Sequence, residues 1–279
     1  MPDFTPTSRC SIGDPVAKEK KTTPSQPGVG SWPARRQALA QKQKVALSLS
    51  KYLAQAGIAS RRKVVDIIKS KVVTVNGVMV NEPGFKVNLN DCIRINDIIV
   101  RSDEKVYILL NKPKNCITTV SDDLGRHHVL NLIAEATKAR IYPVGRLDRN
   151  TTGLLLLTND GDLALKLSHP RFEVEKIYHV QLDKVLTRTD LRKMLAGIQL
   201  EDGFIKVDEA NFFHDRPKQN LVVVIHSGKN LIIRRIFEKL GYDVRKLDRA
   251  GYAGLTKSKL EVGQWRYLTK PEIDFLKHQ

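Results

Sequence analysis

Apolar residues first fall into register at Leu49, Tyr52, Leu53 and Ala56, the i, i+3, i+4, i+7 spacing of an amphipathic helix, and Gly57 follows where a helix stop belongs. Ser60 then caps a second helix whose core side is Val64, Ile67 and Ile68. Val73 and Val75 next alternate with Val72 and Thr74, and Asn76-Gly77 supplies a two-residue hairpin turn ahead of Val78-Met79-Val80. Cys92 to Ile95 reads as a further strand. Two helices followed by a small sheet predict a compact unit over residues 47–97.

Residues 98–104 are polar enough to form a linker, and 105–279 follow as a second domain. Lys105 to Leu110 opens it as a strand that Asn111-Lys112-Pro113 ends, because proline cannot donate to a sheet. Leu154 to Leu157 is a short continuous apolar run closed by the turn signal Asn159-Asp160-Gly161, the pattern of a strand covered on both faces. Asp162 to Ser168 reads as a short helix ended by Pro170, and Lys176 to Leu182 as an alternating strand with Tyr178 and Val180 on one face. A helix from Asp190 is stopped by Gly197, and Leu221 to Ile225 is strongly β-prone. Ile232, Ile233, Ile236, Phe237 and Leu240 then make one helical stripe before Gly241.

Composition adds a partner to this outline. The net charge is +17, with +5 in residues 1–46 and +4 in residues 47–97, so about a third of the chain holds half the excess. Such an excess favours a polyanion, since each phosphate contact releases counterions. Residues 1 to about 30 are rich in Pro, Ser, Thr and Gly, and 34–46 are basic without an apolar face, so 1–46 are expected to be a disordered basic tail. Cys10, Cys92 and Cys116 match no metal or redox spacing, and the seven histidines are scattered, so no metal site is implied. No apolar run approaches membrane-spanning length and no signal-peptide core is present, which reads as a soluble, cytoplasmic chain, a monomer by default.

The chemistry concentrates just before the leucine run. Arg146, Asp148 and Arg149 put three charges in four positions of a loop that feeds a buried strand, so Asp148 sits near a core on backbone that is still loop. That is a common place for a catalytic carboxylate, although an Asp between two Arg residues is more often a solvated ion pair. The wording is more specific. Gly145-Arg146-Leu147-Asp148 followed by Thr152-Gly153-Leu154-Leu155-Leu156 resembles the active-site motif of pseudouridine synthases, in the branch that modifies ribosomal RNA and carries a small RNA-binding module. Ala59-Ser60-Arg61-Arg62 and Val73-Thr74-Val75-Asn76-Gly77 resemble that module, the S4 domain, with Lys71 standing where the family usually has Gly. Lys112-Pro113 with Thr118-Thr119, the Lys-x-Tyr ending at Tyr178, and the segment from Leu247-Asp248-Arg249 to Leu268 extend the likeness over residues 47–276.

The resemblance implies an α+β fold: the helix-hairpin module plus a catalytic domain with a mixed, largely antiparallel sheet flanked by helices. It implies uridine-to-pseudouridine isomerisation in ribosomal RNA, with Asp148 as nucleophile or base and Tyr178 as the active-site tyrosine. By the same resemblance Arg234 pairs with the catalytic carboxylate, Arg146 being the other cation at hand. The reaction needs no redox step or group carrier, so no cofactor is expected. The wording around Lys176 to Leu182 and Gly197 to Gly203 leans to the large ribosomal subunit. Leu231 and Ile232 depart from the family's usual polar residue and Gln, which bears on any role for a side-chain amide there.

Three cations in one first helical turn, Arg61, Arg62 and Lys63, oppose the helix dipole, so a phosphate backbone is their expected partner. Arg146, Lys112 and Arg126 are further expected RNA contacts, on ribosomal RNA or a pre-ribosomal particle. An alternative keeps the RNA-binding module but makes the larger domain a non-catalytic ribosome-assembly factor. An unrelated Asp-dependent hydrolase lacks a second carboxylate or metal cluster at suitable spacing.

Overall fold

The computed structural model describes residues 46–88 and 90–279; the expected tail, apart from Ala46, lies outside the described residues. Residues 46–279 pack as one unit. In its first part, helix α1 (Leu49–Gln55) follows strand β1 (Leu47–Ser48), and the Ser48 hydroxyl accepts from the Lys51 amide at 3.4 Å. Helix α2 (Arg61–Lys69) starts at Ser60, whose hydroxyl accepts from the Lys63 amide at 3.3 Å, so the expected cap is in place. The two helices bury Leu49, Leu53, Val64 and Ile68 against strands β2 (Val73–Val75), β4 (Lys86–Val87) and β5 (Ile93–Ile95), while the side chains of β3 (Val78–Met79) and β6 (Ile98–Ile99) are exposed.

These strands form a sheet in the order β3-β2-β5-β6, while β1 pairs with β4. Asn76 and Gly77 both have positive φ, 52° and 82°, as a tight hairpin turn of the right twist demands. Two details differ from the sequence reading. Ile98–Ile99, expected in the linker, forms the last strand of the small sheet because it pairs antiparallel with β5. Lys71 occupies the left-handed region at φ 60°, so the helix-to-strand turn keeps a glycine-like backbone without a glycine.

The larger part is built on a nine-stranded sheet. Its strands are β7 (Tyr107–Lys112), β8 (Tyr142–Pro143), β9 (Thr152–Thr158), β10 (Lys176–Leu182), β13 (Glu209–Phe212), β14 (Asn220–Ile225), β15 (Val244–Tyr252), β16 (Leu255–Thr256) and β17 (Trp265–Tyr267). Strands β11 (Ile198–Leu200) and β12 (Gly203–Ile205) make a separate hairpin. The main path runs β13-β14-β10-β15-β9-β7-β17, with β8 added to β9 and β16 to β15. Among the described residues only β15 and β9 of this sheet run parallel, so the sheet is mixed and largely antiparallel.

The leucine run lies at the centre of β9, and Leu154, Leu155, Leu156 and Leu157 are fully buried. Their alternation serves two cores. Leu154 and Leu156 pack with helix α3 (Gly161–Ser168) and helix α6 (Lys270–His278), whereas Leu155 and Leu157 belong to the core of α4 (Arg188–Ala196) and α5 (Ile232–Lys239). Burying one such leucine stabilises the fold by about 2 kcal/mol, and truncation to alanine costs about 3 kcal/mol once the cavity is included.

Candidate active site

The loop from Gly145 to Thr151 leads into β9, and its backbone is fastened from two sides. Thr118 Oγ1 donates to the Leu147 carbonyl at 2.7 Å and accepts from the Leu147 amide at 3.3 Å. Lys112 Nζ donates to the carbonyls of Pro113, Cys116 and Arg149 at 2.9, 2.7 and 3.3 Å. Lys112 is therefore no RNA contact: it is fully buried and staples the domain's opening segment to the loop. Burial lowers its pKa to about 8, against the pull of Cys116 and of the Asp148 carboxylate, which favour the charged form.

At the next residues the chain meets β15 closely. Gly153 pairs with Arg249 in the parallel ladder at φ 112°, and a Cβ there would sit 2.3 Å from the Arg249 carbonyl oxygen. The Thr-Gly-Leu wording after Asp148 thus has a physical cause, for only glycine lets the loop end against β15. Asp148 is half-buried; its carbonyl accepts from the Thr151 amide at 3.1 Å and its Oδ2 from Thr151 Oγ1 at 3.4 Å.

Asp148 opens onto a cleft of about 230 Å³ whose walls come from five places, one of them the end of α3 with Leu167 and Ser168. The loop contributes Arg146, Leu147, Asp148 and Thr151; β10 contributes Lys176 and Tyr178; β15 contributes Leu247, Arg249 and Tyr252; the segment Ser227–Ile233 closes the remaining side. Tyr178 stands directly opposite Arg249 in the β10–β15 ladder and is 8% exposed. The cleft thus brings together Asp148, Tyr178 and Arg146, three of the residues expected from sequence.

Arg234 is not brought to Asp148. Its guanidinium donates to the Val244 carbonyl at 2.9 Å, tying α5 to the start of β15, and among the described residues no Lys or Arg nitrogen forms an ion pair with the Asp148 carboxylate. The helix stripe explains the difference, since Ile232, Ile233, Ile236 and Phe237 turn inward and leave Arg234 half-buried beside the strand end. Arg235 instead forms a two-pronged pair with Asp202 at 2.9 and 2.7 Å. Leu231 lines the cleft at φ 51°, partly exposed, and Ile232 behind it is buried, so this wall is apolar where the family resemblance implies polar groups.

Arg61, Arg62 and Lys63 are exposed on the first turn of α2. Arg126 is exposed too, but its side chain donates to Asp122 at 3.1 and 2.6 Å within its own loop, so its charge is answered locally. Arg126 in turn holds the Asp122 carboxyl below the usual range.

Two cleft residues escaped the sequence reading. Lys176 donates to the carbonyls of Val174 and His226 at 2.6 and 2.9 Å, and burial, reinforced by Arg249, brings its pKa down to about 8. Arg249 is 2% exposed. The available signal was an arginine two places after the core residue Leu247 on a central strand, hence on the same face. Among the described residues, no three His, Cys, Asp or Glu side chains gather as a metal site, and no helix is long and apolar enough to cross a membrane.

Comparison with known proteins matches residues 106–239 to the family model described as RNA pseudouridylate synthase and residues 48–102 to the S4 domain. The chain is 43% identical over 232 residues to a Bacillus subtilis (strain 168) protein named ribosomal large subunit pseudouridine synthase B, covering 82% of this chain and 95% of the relative. A Buchnera aphidicola protein of the same name is 36% identical, covering 82% and 96%, and an uncharacterized RNA pseudouridine synthase of Aquifex aeolicus is 38% identical, covering 81% and 91%. A crystal structure described as pseudouridylate synthase superposes with a TM-score of 0.58 at 27% identity, covering 82% of this chain and 99% of that one. With that likeness running through both modules and the cleft, the chain belongs to the RNA pseudouridylate synthase family and carries an S4 domain ahead of its catalytic domain.

Proposed function

We propose that this chain isomerises a uridine of large-subunit ribosomal RNA, acting as a cytoplasmic monomer on the RNA or a pre-ribosomal particle, with Asp148 as the group that starts the reaction. The observation that carries this is the cleft itself, in which a loop carboxylate on a fastened backbone faces a buried tyrosine and several cations. The target subunit is supported by the two relatives named for large-subunit pseudouridine synthesis.

Isomerisation breaks the bond from C1′ to N1, turns the ring and joins C1′ to C5; C5 loses a proton and N1 gains one. Asp148 serves either as nucleophile at C1′ or as base at C2′, and both roles need its ionised form. Lys112, behind the loop, fixes the backbone that presents the carboxylate by donating to the Arg149 carbonyl. A uridine in folded RNA has to leave its stack to reach the cleft, at a cost of a few kcal/mol, and the ring of Tyr178 offers an aromatic surface for the extruded base. Arg146, exposed at the mouth, and Arg61, Arg62 and Lys63 on α2 supply cations for the backbone.

The test is to delete the gene, map pseudouridine along both ribosomal RNAs by chemical labelling and primer extension, and restore wild type or Asp148→Asn. Loss of one large-subunit site, recovered by wild type alone, is the expected result. A small-subunit site would overturn the target, and recovery by Asp148→Asn would overturn the role of the carboxylate.

A further inference from the structure

The floor of the cleft holds a cation that the protein itself does not satisfy. Arg249 is 2% exposed, and its Nε donates to the Leu154 carbonyl at 2.7 Å while the guanidinium lies 4.4 Å from the centre of the Tyr252 ring. Among the described residues neither terminal nitrogen meets an acceptor; Nη2 is buried, and no carboxylate pairs with the group. Tyr252 cannot answer it as an anion, since its hydroxyl donates to the Leu167 carbonyl at 2.9 Å and burial pushes its pKa up to about 12. Lys176 adds a second cation nearby. A buried cation with free donors is costly unless a ligand completes it.

Its depth decides which part of an RNA it meets. The exposed cation of the cleft, Arg146, is placed at the mouth, where phosphates run. Arg249, opposite Tyr178 on the inner strands, is within reach only of a group that enters the cleft, which is the base. Negative charge arises on that base during the reaction. When C1′–N1 breaks, the bonding pair leaves with N1 and spreads onto O2 and O4 of the ring, while C1′ becomes electron-poor and is met by the Asp148 carboxylate or relieved by loss of the C2′ proton to it. After the ring turns, the C5 pair forms the C1′–C5 bond, C5 releases its proton and N1 takes one up, so no oxidant or reductant is needed.

We propose that Arg249 is a catalytic residue, its guanidinium donating to a carbonyl oxygen of the extruded uracil and stabilising the charge that gathers there as the glycosidic bond breaks. This rests on the isomerase reading above and adds to it a group dedicated to the leaving ring. Preorganised donors of this kind are typically worth about 100-fold or more in rate.

The experiment uses the full chain and a synthetic RNA fragment spanning the mapped uridine, with that position as uridine, 2-thiouridine or 4-thiouridine. Arg249→Gln is expected to slow single-turnover conversion of the uridine RNA by about 100-fold with RNA affinity changed less than about threefold. Sulfur is a poorer acceptor, so wild type slows on the thio-RNA that carries it at the contacted position, and Arg249→Gln slows no further there. Arg249→Lys, which keeps the charge, recovers part of the rate and stands in if the glutamine variant melts early. Three results overturn the proposal: slowing by variant and by both thio-RNAs that simply multiplies, loss of affinity with a shallower salt dependence, which assigns Arg249 to phosphate, or full turnover in Arg249→Gln. Failure of wild type to convert the uridine RNA removes the isomerase reading and the proposal with it.

Discussion

The cations of the S4 domain and those in and behind the candidate cleft obey opposite rules. Arg61, Arg62 and Lys63 stand exposed on a helix start whose dipole repels them, and no acidic side chain of the described residues pairs with them. Lys112 and Arg249 are buried and Lys176 is half-buried, and all lean on backbone carbonyls: three for Lys112, two for Lys176 and one for Arg249. The first group is suited to gripping a long polyanion, weakly per contact and with strong salt dependence. The second holds a loop in place and sets the potential of a small cleft, where each charge counts for more because water is excluded.

That division predicts a hierarchy of effects. Asp148→Asn should lower turnover by at least about 1,000-fold while the melting temperature and RNA affinity stay near wild type, as measured by single-turnover conversion and filter binding. Retained turnover would place the chemistry elsewhere. The triple variant Arg61→Gln, Arg62→Gln, Lys63→Gln should act the other way round. Its affinity should fall by about 10- to 100-fold at moderate salt and the slope of log affinity against log salt should flatten by about 2 to 3, with turnover at saturating RNA unchanged. An unchanged slope would mean that this helix turn faces no phosphate.

Lys176 sharpens the contrast, because its charge is lost within an accessible pH range. Burial, with Arg249 nearby, lowers its pKa from 10.5 to about 8, so the cleft carries this cation below about pH 8 and loses it above. RNA affinity should therefore decline by about threefold to tenfold as pH rises through 8, and Lys176→Met should start lower and stay flat. Stability moves in the opposite sense. Between about pH 8 and 10.5 the unfolded chain holds a proton that the folded chain has released, so this residue makes folding more favourable as pH rises. Melting curves and binding titrations over the same pH series check both signs, and a wild-type affinity that does not change across pH 8 would contradict the assignment.

Much of this was legible in the chain. The four leucines, the Ser60 cap and the Asn76-Gly77 hairpin are local patterns with local causes, and each is realised where it was expected, while the turn signal Asn159-Asp160-Gly161 is realised as the capped start of α3. Exposed charges were legible for the same reason. What sequence misjudged depends on contacts between distant segments. Lys112 reads as a loop cation until three carbonyls from residues 113, 116 and 149 converge on it. Arg234 and Arg249 are both arginines near apolar stripes, and only the seating of α5 against β15 sends one to the Val244 carbonyl and the other to the cleft. Arg126 is the local exception, its charge answered by Asp122 only four residues earlier.

The smallest expected effects come from two non-glycine residues held in the left-handed region, one in each part of the molecule. Lys71 turns α2 into β2 at φ 60°, and Leu231 precedes α5 at φ 51°. Such a backbone costs a branched or long side chain about 1–2 kcal/mol, part of which glycine regains and part of which it forfeits through its greater freedom when unfolded. Lys71→Gly should therefore raise stability by roughly 0.5–1 kcal/mol, seen as a rise of a few degrees in melting temperature, with turnover unchanged because the side chain is exposed on a turn. Leu231→Gly should gain a similar amount yet lose turnover or affinity by a few-fold, since Leu231 forms part of the cleft wall beside Asp148. Strain retained at a cleft is the pattern expected where a side chain contacts the ligand, whereas strain at a solvent-facing turn has no such return. If both glycine variants gain stability and neither changes turnover, Leu231 is a tolerated substitution in the wall and makes no contact with the base.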